Sequence, residues 1–180
     1  MSDRYLIALT GLPGCGKSTL AEAIARELSI PVFAKDWLEA SLRQVGLHDH
    51  PDCAAKLPYA GYELLFTLAR RQLHLGQSVI LDSAASFGTI RERWQGLARD
   101  YHAQWRLIEC ICSDEALHRQ RLTGRDRGIP GWHEFGYEEV IRVRQHYQAP
   151  QVGDRRLTLD AVQPVEDNIQ AALAYIREAT

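Results

Sequence analysis

The clearest chemistry in the chain sits in nine consecutive residues, Gly11-Leu12-Pro13-Gly14-Cys15-Gly16-Lys17-Ser18-Thr19, which fit a glycine, four residues, then Gly-Lys-Ser/Thr. That spacing is the pattern of a phosphate-binding loop. A phosphate needs a concave run of backbone N–H groups, and Gly11, Gly14 and Gly16 can take the positive φ that lets an anion approach the backbone closely. Lys17 is then expected to reach the β and γ phosphates, and Ser18 to place its hydroxyl on Mg²⁺. Pro13, Cys15 and Thr19 complete the cradle, and the N-terminus of the following helix adds partial positive charge to the same anion.

Two carboxylates stand where such a loop would need them. Asp36 follows the apolar run Pro31 to Ala34, and Asp82 ends the run Ser78-Val79-Ile80-Leu81. The carboxyl ends of strands are where open α/β sheets bind ligands. Asp36 also opens a helical stretch, Trp37 to Val45, so an N-cap role is compatible with a chemical one. Further along, Arg119, Arg121, Arg125 and Arg127 fall within nine residues, interrupted by Gly124 and Gly128 and leading into Pro130. A solvated helix face is the plain reading of scattered arginines. The glycines favour a mobile lid, about 119–131, able to close over polyphosphate.

Other polar clusters carry less. His48, His50, Asp52 and Cys53 crowd one stretch, but their spacing matches no closed zinc pattern, and a solvated loop is expected there. Cys15, Cys53, Cys110 and Cys112 form no C-x-x-C pair, which points to buried, reduced thiols and a cytoplasmic setting. The net charge of −2 gives no general basic footprint for nucleic acid or anionic membrane. No apolar run is long enough to span a bilayer, and the N-terminus has no apolar signal region.

The elements that must position these residues follow from periodicity. Tyr5 to Leu9 is an apolar run without alternation, as expected for a strand covered on both faces. After the loop, Leu20, Ala21, Ile24, Ala25 and Leu28 recur at helical spacing. Pro31 to Ala34, Ser78 to Asp82, Gln104 to Cys112 and Arg156 to Asp160 read as four more strands. Helices are expected over Tyr59 to Leu75, stopped by Gly76; from a Thr89-x-x-Glu92 capping box; from Ser113 and Asp114; over Tyr137 to Tyr147; and over Pro164 to Glu178, with Pro150 to Asp154 a loop. At 180 residues this suits one domain, 1–180. Alternating strands and helices give a doubly wound α/β fold in three layers, a five-stranded parallel sheet with helices on both faces.

An Asn-Lys-x-Asp guanine signature is absent, and Asp82 is followed by Ser83 rather than by a second acid, so GTPase and motor ATPase patterns are not met. Through residues 11–19, Lys35-Asp36, Val79 to Ser83 and the arginines from Arg119, nearly the whole chain resembles the compact P-loop kinases. These include gluconate kinase, adenylylsulfate kinase, chloramphenicol phosphotransferase, the kinase module of polynucleotide kinase, and zeta toxin. The resemblance implies an adenylate-kinase-like P-loop NTPase fold with a short lid, using ATP and Mg²⁺. It implies that Asp36 accepts the proton of the attacking hydroxyl, that Arg121 and Arg125 neutralise the transferring phosphate together with Lys17, that Arg119 belongs to the nucleotide site, and that Asp82 sits with Ser18 at the metal. The polynucleotide kinase pattern has an arginine three residues after the base, whereas this chain has Glu39. The expected activity is therefore γ-phosphate transfer to a hydroxyl of a small molecule, by a monomer or homodimer. A 5′-hydroxyl polynucleotide kinase and a non-catalytic ATP-binding regulator are the alternatives, and a nucleic-acid acceptor is not expected.

Overall fold

The computed structural model describes residues 4–151 and 154–178. Five strands, β1 (Tyr5–Thr10), β2 (Val32–Ala34), β3 (Val79–Asp82), β4 (Gln104–Ile111) and β5 (Arg156–Asp160), form one sheet in the order β2-β3-β1-β4-β5. Every pairing is parallel. β1 lies in the middle, so both of its faces are covered: Leu6 and Ala8 look one way, Ile7 and Leu9 the other, and all four are fully buried. That is why the run lacks polar alternation.

Helices fill both sides. On one face α4 (Leu57–His74) and α5 (Gly88–Asp100) bring Leu65, Ala69, Leu73, Trp94 and Leu97 onto Leu6, Ala8, Val79 and Leu81. On the other, α1 (Lys17–Leu28) and α8 (Val165–Arg177) bring Leu20, Ile24, Ala172 and Ile176 onto Ile7, Leu9, Ile80 and Ile108. The three-layer parallel architecture expected from the sequence is therefore the observed one. α2 (Lys35–Gln44), the short α3 (Pro51–Ala54), α6 (Glu115–Leu122) and α7 (Tyr137–His146) complete the order, with a 3₁₀ turn over Leu47–Asp49. Among the described residues no helix is long and apolar enough to cross a membrane.

Three local expectations change. α2 begins at Lys35, with Ala34 at its N-cap, so Asp36 lies inside the first turn and is not the cap. A carboxylate there still meets the positive end of the helix, but it is released for tertiary contacts. Thr89 and Glu92 form no capping box, because α5 starts earlier, at Gly88, and the Gly88 N–H donates to Gln148 Oε1 at 2.9 Å. The segment expected as a loop around His48 to Cys53 is instead two short helical turns, the second started by Pro51. No group of three His, Cys, Asp or Glu able to hold a metal occurs among the described residues. Asp114 does cap α6, accepting from Leu117 N at 3.0 Å. Within the loop expected at Pro150 to Asp154, Val152 and Gly153 lie outside the described residues.

Candidate functional site

The loop between β1 and α1 is built by backbone constraints. Gly11, Gly14 and Gly16 have φ of 131°, 87° and 82°. At Gly11 a side chain is impossible for a second reason, since a Cβ would lie 2.0 Å from the carbonyl oxygen of Cys110 on the neighbouring strand. Gly16 occupies the N-cap of α1 in the left-handed conformation, which turns the chain directly from loop into helix. The flanks are pinned from elsewhere. Thr10 Oγ1 and Gly11 N both donate to Ala84 O, at 2.7 and 3.3 Å. From α6, His118 donates through Nε2 to Pro13 O at 2.6 Å, and its ring fills the space beside Gly14. Cys15 is buried in the core below, and burial pushes its thiol above the ordinary value, so it packs rather than reacts.

Lys17 is 9 % exposed, and its ammonium donates to Leu12 O at 2.8 Å across the loop. Next to it, Asp82 at the end of β3 is buried and accepts a hydrogen bond from the Ser18 side chain. Burial pushes the Asp82 carboxyl upward, while the Lys17 charge and the Ser18 bond pull it down. A hydroxyl and a carboxylate in contact, both hard oxygen donors, suit Mg²⁺, which usually takes only one or two protein ligands and completes its shell with phosphate and water. Ser18 and Asp82 fit that role.

The four arginines beyond β4 go to four different places. Arg119 stays on the outer face of α6, with its guanidinium 4.1 Å from the Tyr137 ring and 3.8 Å from Glu115. Arg121 donates to Ala161 O at 2.8 Å, at the turn between β5 and α8. Arg125 makes no side-chain hydrogen bond or ion pair among the described residues and faces the loop beside Ser18 and Asp82. Burial and the neighbouring Arg127 charge pull its pKa below the ordinary arginine value. Arg127 is held twice, by Asp36 at 2.8 Å and by both oxygens of Glu134 at 3.0 and 3.1 Å.

Of the cavities that reach the loop, two bring the expected site residues together. One, of about 310 Å³, runs from Gly14, Gly16 and Thr19 past Arg121 to Gln163 and Asn168. The other, of about 670 Å³, joins Lys17, Ser18 and Asp82 to Asp36, Arg125 and Arg127 and then extends between α2, α4 and α7. Lys17, Ser18, Asp36, Asp82 and Arg125 are thus brought to one cleft, Arg121 to the smaller cavity beside it, and Arg119 to neither. Three contributions carried no signal in the local sequence: His118 behind Pro13, Gln163 in the turn after β5 with Asn168 near the start of α8, and Arg127 on Asp36. Arg127 was visible only as a member of the arginine run. Its partner lies 91 residues away, and no local pattern encodes that.

A parallel sheet of this order with a glycine-rich loop and a buried lysine after its central strand defines a compact P-loop fold. More narrowly, the sequence matches the AAA_33 family, described as an AAA domain, over residues 6–150, and the chain belongs to that family. A UPF0200 protein of Aeropyrum pernix is 31 % identical over 126 residues, covering 67 % of this chain and 63 % of the relative, so the chain spans less than two thirds of that relative's length. Among solved structures, a candidate kinase from Chloroflexus aurantiacus superposes with a TM-score of 0.75 at 22 % identity, over 97 % of this chain and 99 % of its own. A gluconokinase from Sinorhizobium meliloti gives 0.67 at 19 %, over 98 % and 93 %. An APS kinase from Mycobacterium tuberculosis, in complex with AMPPNP and APS, gives 0.60 at 19 %, over 99 % and 100 %. At these identities the likeness is one of fold.

Proposed function

We propose that the protein is an ATP-dependent phosphotransferase that moves the γ-phosphate to a hydroxyl of a small molecule. The observation that carries this reading is the continuity of one cleft from the phosphate loop to Asp36, because a hydroxyl beside Asp36 then opens onto the space in front of Lys17 and Arg125. A regulator that only held ATP would need no such extension. The gluconokinase and the APS kinase support the direction of the proposal, since both are named as kinases and the latter was captured with an ATP analogue.

Phosphoryl transfer asks a protein mainly for positioning and charge neutralisation. The backbone N–H groups of the loop and Lys17 would cradle the β and γ phosphates, and Ser18 with Asp82 would hold Mg²⁺, which neutralises phosphate charge when bound. Arg121, Gln163 and Asn168 would line the nucleoside side. Arg125, with a cation not committed to any carboxylate, would meet the negative charge of the phosphoryl group in flight. Asp36 Oδ2 is occupied by Arg127, which fixes the carboxylate and leaves Oδ1 to accept the proton of the attacking hydroxyl. Single-domain organisation over residues 1–180 and a cytoplasmic setting belong to the same proposal. It is tested by following ADP release while hydroxylated metabolites are added singly. Acceptor-dependent release with a matching phosphorylated product supports the reading, whereas ADP release that no acceptor alters removes it.

A further inference from the structure

The far half of the large cleft has a charge arrangement that phosphate binding does not explain. Along one face of α2, Lys35, Glu39 and Arg43 follow each other at intervals of four. Lys35 Nζ donates to Glu39 Oε2 at 2.6 Å, and Arg43 Nη2 donates to Glu39 Oε1 at 3.1 Å. The Glu39 side chain is only 5 % exposed and Lys35 only 12 %. One buried carboxylate with both oxygens taken therefore holds two cations in fixed positions. The row carries a net charge of +1 within the cleft wall.

Besides Glu39, Lys35 is placed by two residues of α4. Its ammonium lies 5.1 Å from the centre of the Tyr62 ring in α4. Its aliphatic stem crosses Gly61 of the same helix, where a Cβ would stand 3.0 Å from Lys35 Cγ and 3.3 Å from Cε. A glycine inside a helix costs about 1 kcal/mol relative to alanine, and here it leaves the slot through which the lysine passes. Of three ammonium donors, Glu39 takes one. Arg43 in turn lies 5.9 Å from the Trp132 ring of the segment after the arginines, and its Nε is buried with no partner. Tyr62, Phe87, Trp132 and Phe135 supply flat apolar walls to the same space.

We propose that this row reads a negative charge on the acceptor: the molecule phosphorylated is an anionic alcohol, bearing a carboxylate, sulfate or phosphate group as well as the reacting hydroxyl, on a body with a flat apolar face. Burying a cation is unfavourable unless an anion compensates it, and the largely buried Lys35 shares the single charge of Glu39 with Arg43, which is 32 % exposed. The opposite wall adds Arg142, whose partner Glu139 is 3.3 Å away on the same helix. The inference rests on the phosphotransferase reading for the position of the hydroxyl, whereas the anion preference can be measured by binding alone.

The protein saturated with AMPPNP and Mg²⁺ is titrated by calorimetry with hydroxynaphthoate, hydroxynaphthalenesulfonate and the neutral hydroxynaphthamide. At least one of the two anions should bind about tenfold more tightly than the amide, the size expected for one incompletely desolvated charge pair. Comparing the carboxylate with the sulfonate shows which anionic group the row prefers. Lys35→Met removes the charge, and Gly61→Ala displaces it without removing it while favouring the helix. Both should bring anion and amide to within about threefold, with the amide constant unchanged. Equal affinities in the unaltered protein, failure of both anions to bind, or a preference that survives both substitutions would overturn the proposal. A protein that prefers the anions but never releases ADP in response to any alcohol would keep this inference and lose the phosphotransferase reading.

Discussion

The phosphate loop and the arginine segment were both visible as unusual runs of residues, yet they translate into structure by different rules. In the loop each residue has one place to go. Gly11 is fixed by a carbonyl of the next strand, Gly16 by its left-handed N-cap, and Lys17 by the start of α1. In the arginine segment four residues of one type reach four destinations that no local pattern sorts: Tyr137, Ala161, the phosphate cleft, and Asp36 with Glu134. Backbone geometry is local and therefore readable. The partner of a long cation is not.

Substitutions in the two regions should differ accordingly. The most damaging is Gly11→Ala, which combines a positive φ with a backbone overlap and should destabilise by roughly 3 kcal/mol or more. Chemical denaturation measures it, and a near-neutral change would show that the loop is softer than described. Lys17→Ala should leave the melting temperature close to that of the parent while ATP affinity drops by about tenfold to a hundredfold, the worth of a charge-assisted bond to phosphate. Calorimetry showing unaltered affinity would remove the loop assignment.

The arginines should then separate by their partners. Arg125→Ala should lower turnover by about 10² while changing ATP affinity little, because a cation that meets charge developing in the transition state acts mainly there. Arg121→Ala should also slow turnover more than it weakens ATP binding, and by less than Arg125→Ala, since Arg121 is already engaged by Ala161 O. Arg119→Ala should change either quantity by less than about twofold, in keeping with an exposed ion pair and ring contact. If Arg119→Ala proved as harmful as Arg125→Ala, the segment would have to rearrange around nucleotide, and the comparison between the two regions would fail.

Most of the architecture was legible. Strand β5 follows from apolar spacing, and of the helical positions Val165, Ile169, Leu173 and Ile176 the last two are buried in the core, Ile169 is partly buried and Val165 is exposed; the coverage of β1 on both faces follows from its unbroken apolar run. The misreadings fall where tertiary contacts replace local capping. For Asp36 the sequence allowed an N-cap role beside a chemical one, but α2 begins at Lys35, two residues before the expected Trp37, and the carboxylate pairs with Arg127 instead. Thr89 was expected to cap α5, but Gln148 satisfies the helix start instead. The cleft wall made by Lys35, Glu39 and Arg43 was also unread, although its four-residue spacing is a sequence signal; Glu39 entered only as a departure from an arginine pattern. Which face of α2 meets the cleft depends on α4 and on Gly61, and neither follows from α2 alone.

Asp36 tests the central claim most directly, because the phosphotransferase reading and a merely structural one ask different things of its carboxylate. Asp36→Asn keeps the size of the side chain and a hydrogen-bond acceptor for Arg127, but it cannot take a proton. ADP release is followed for both proteins with saturating ATP and Mg²⁺ and with whichever hydroxyl compound stimulates the parent. The account predicts that the variant turns over about 10² to 10⁴ more slowly, the usual contribution of a general base, with ATP affinity and melting temperature near those of the parent. A variant that retained most of its acceptor-dependent turnover would contradict it.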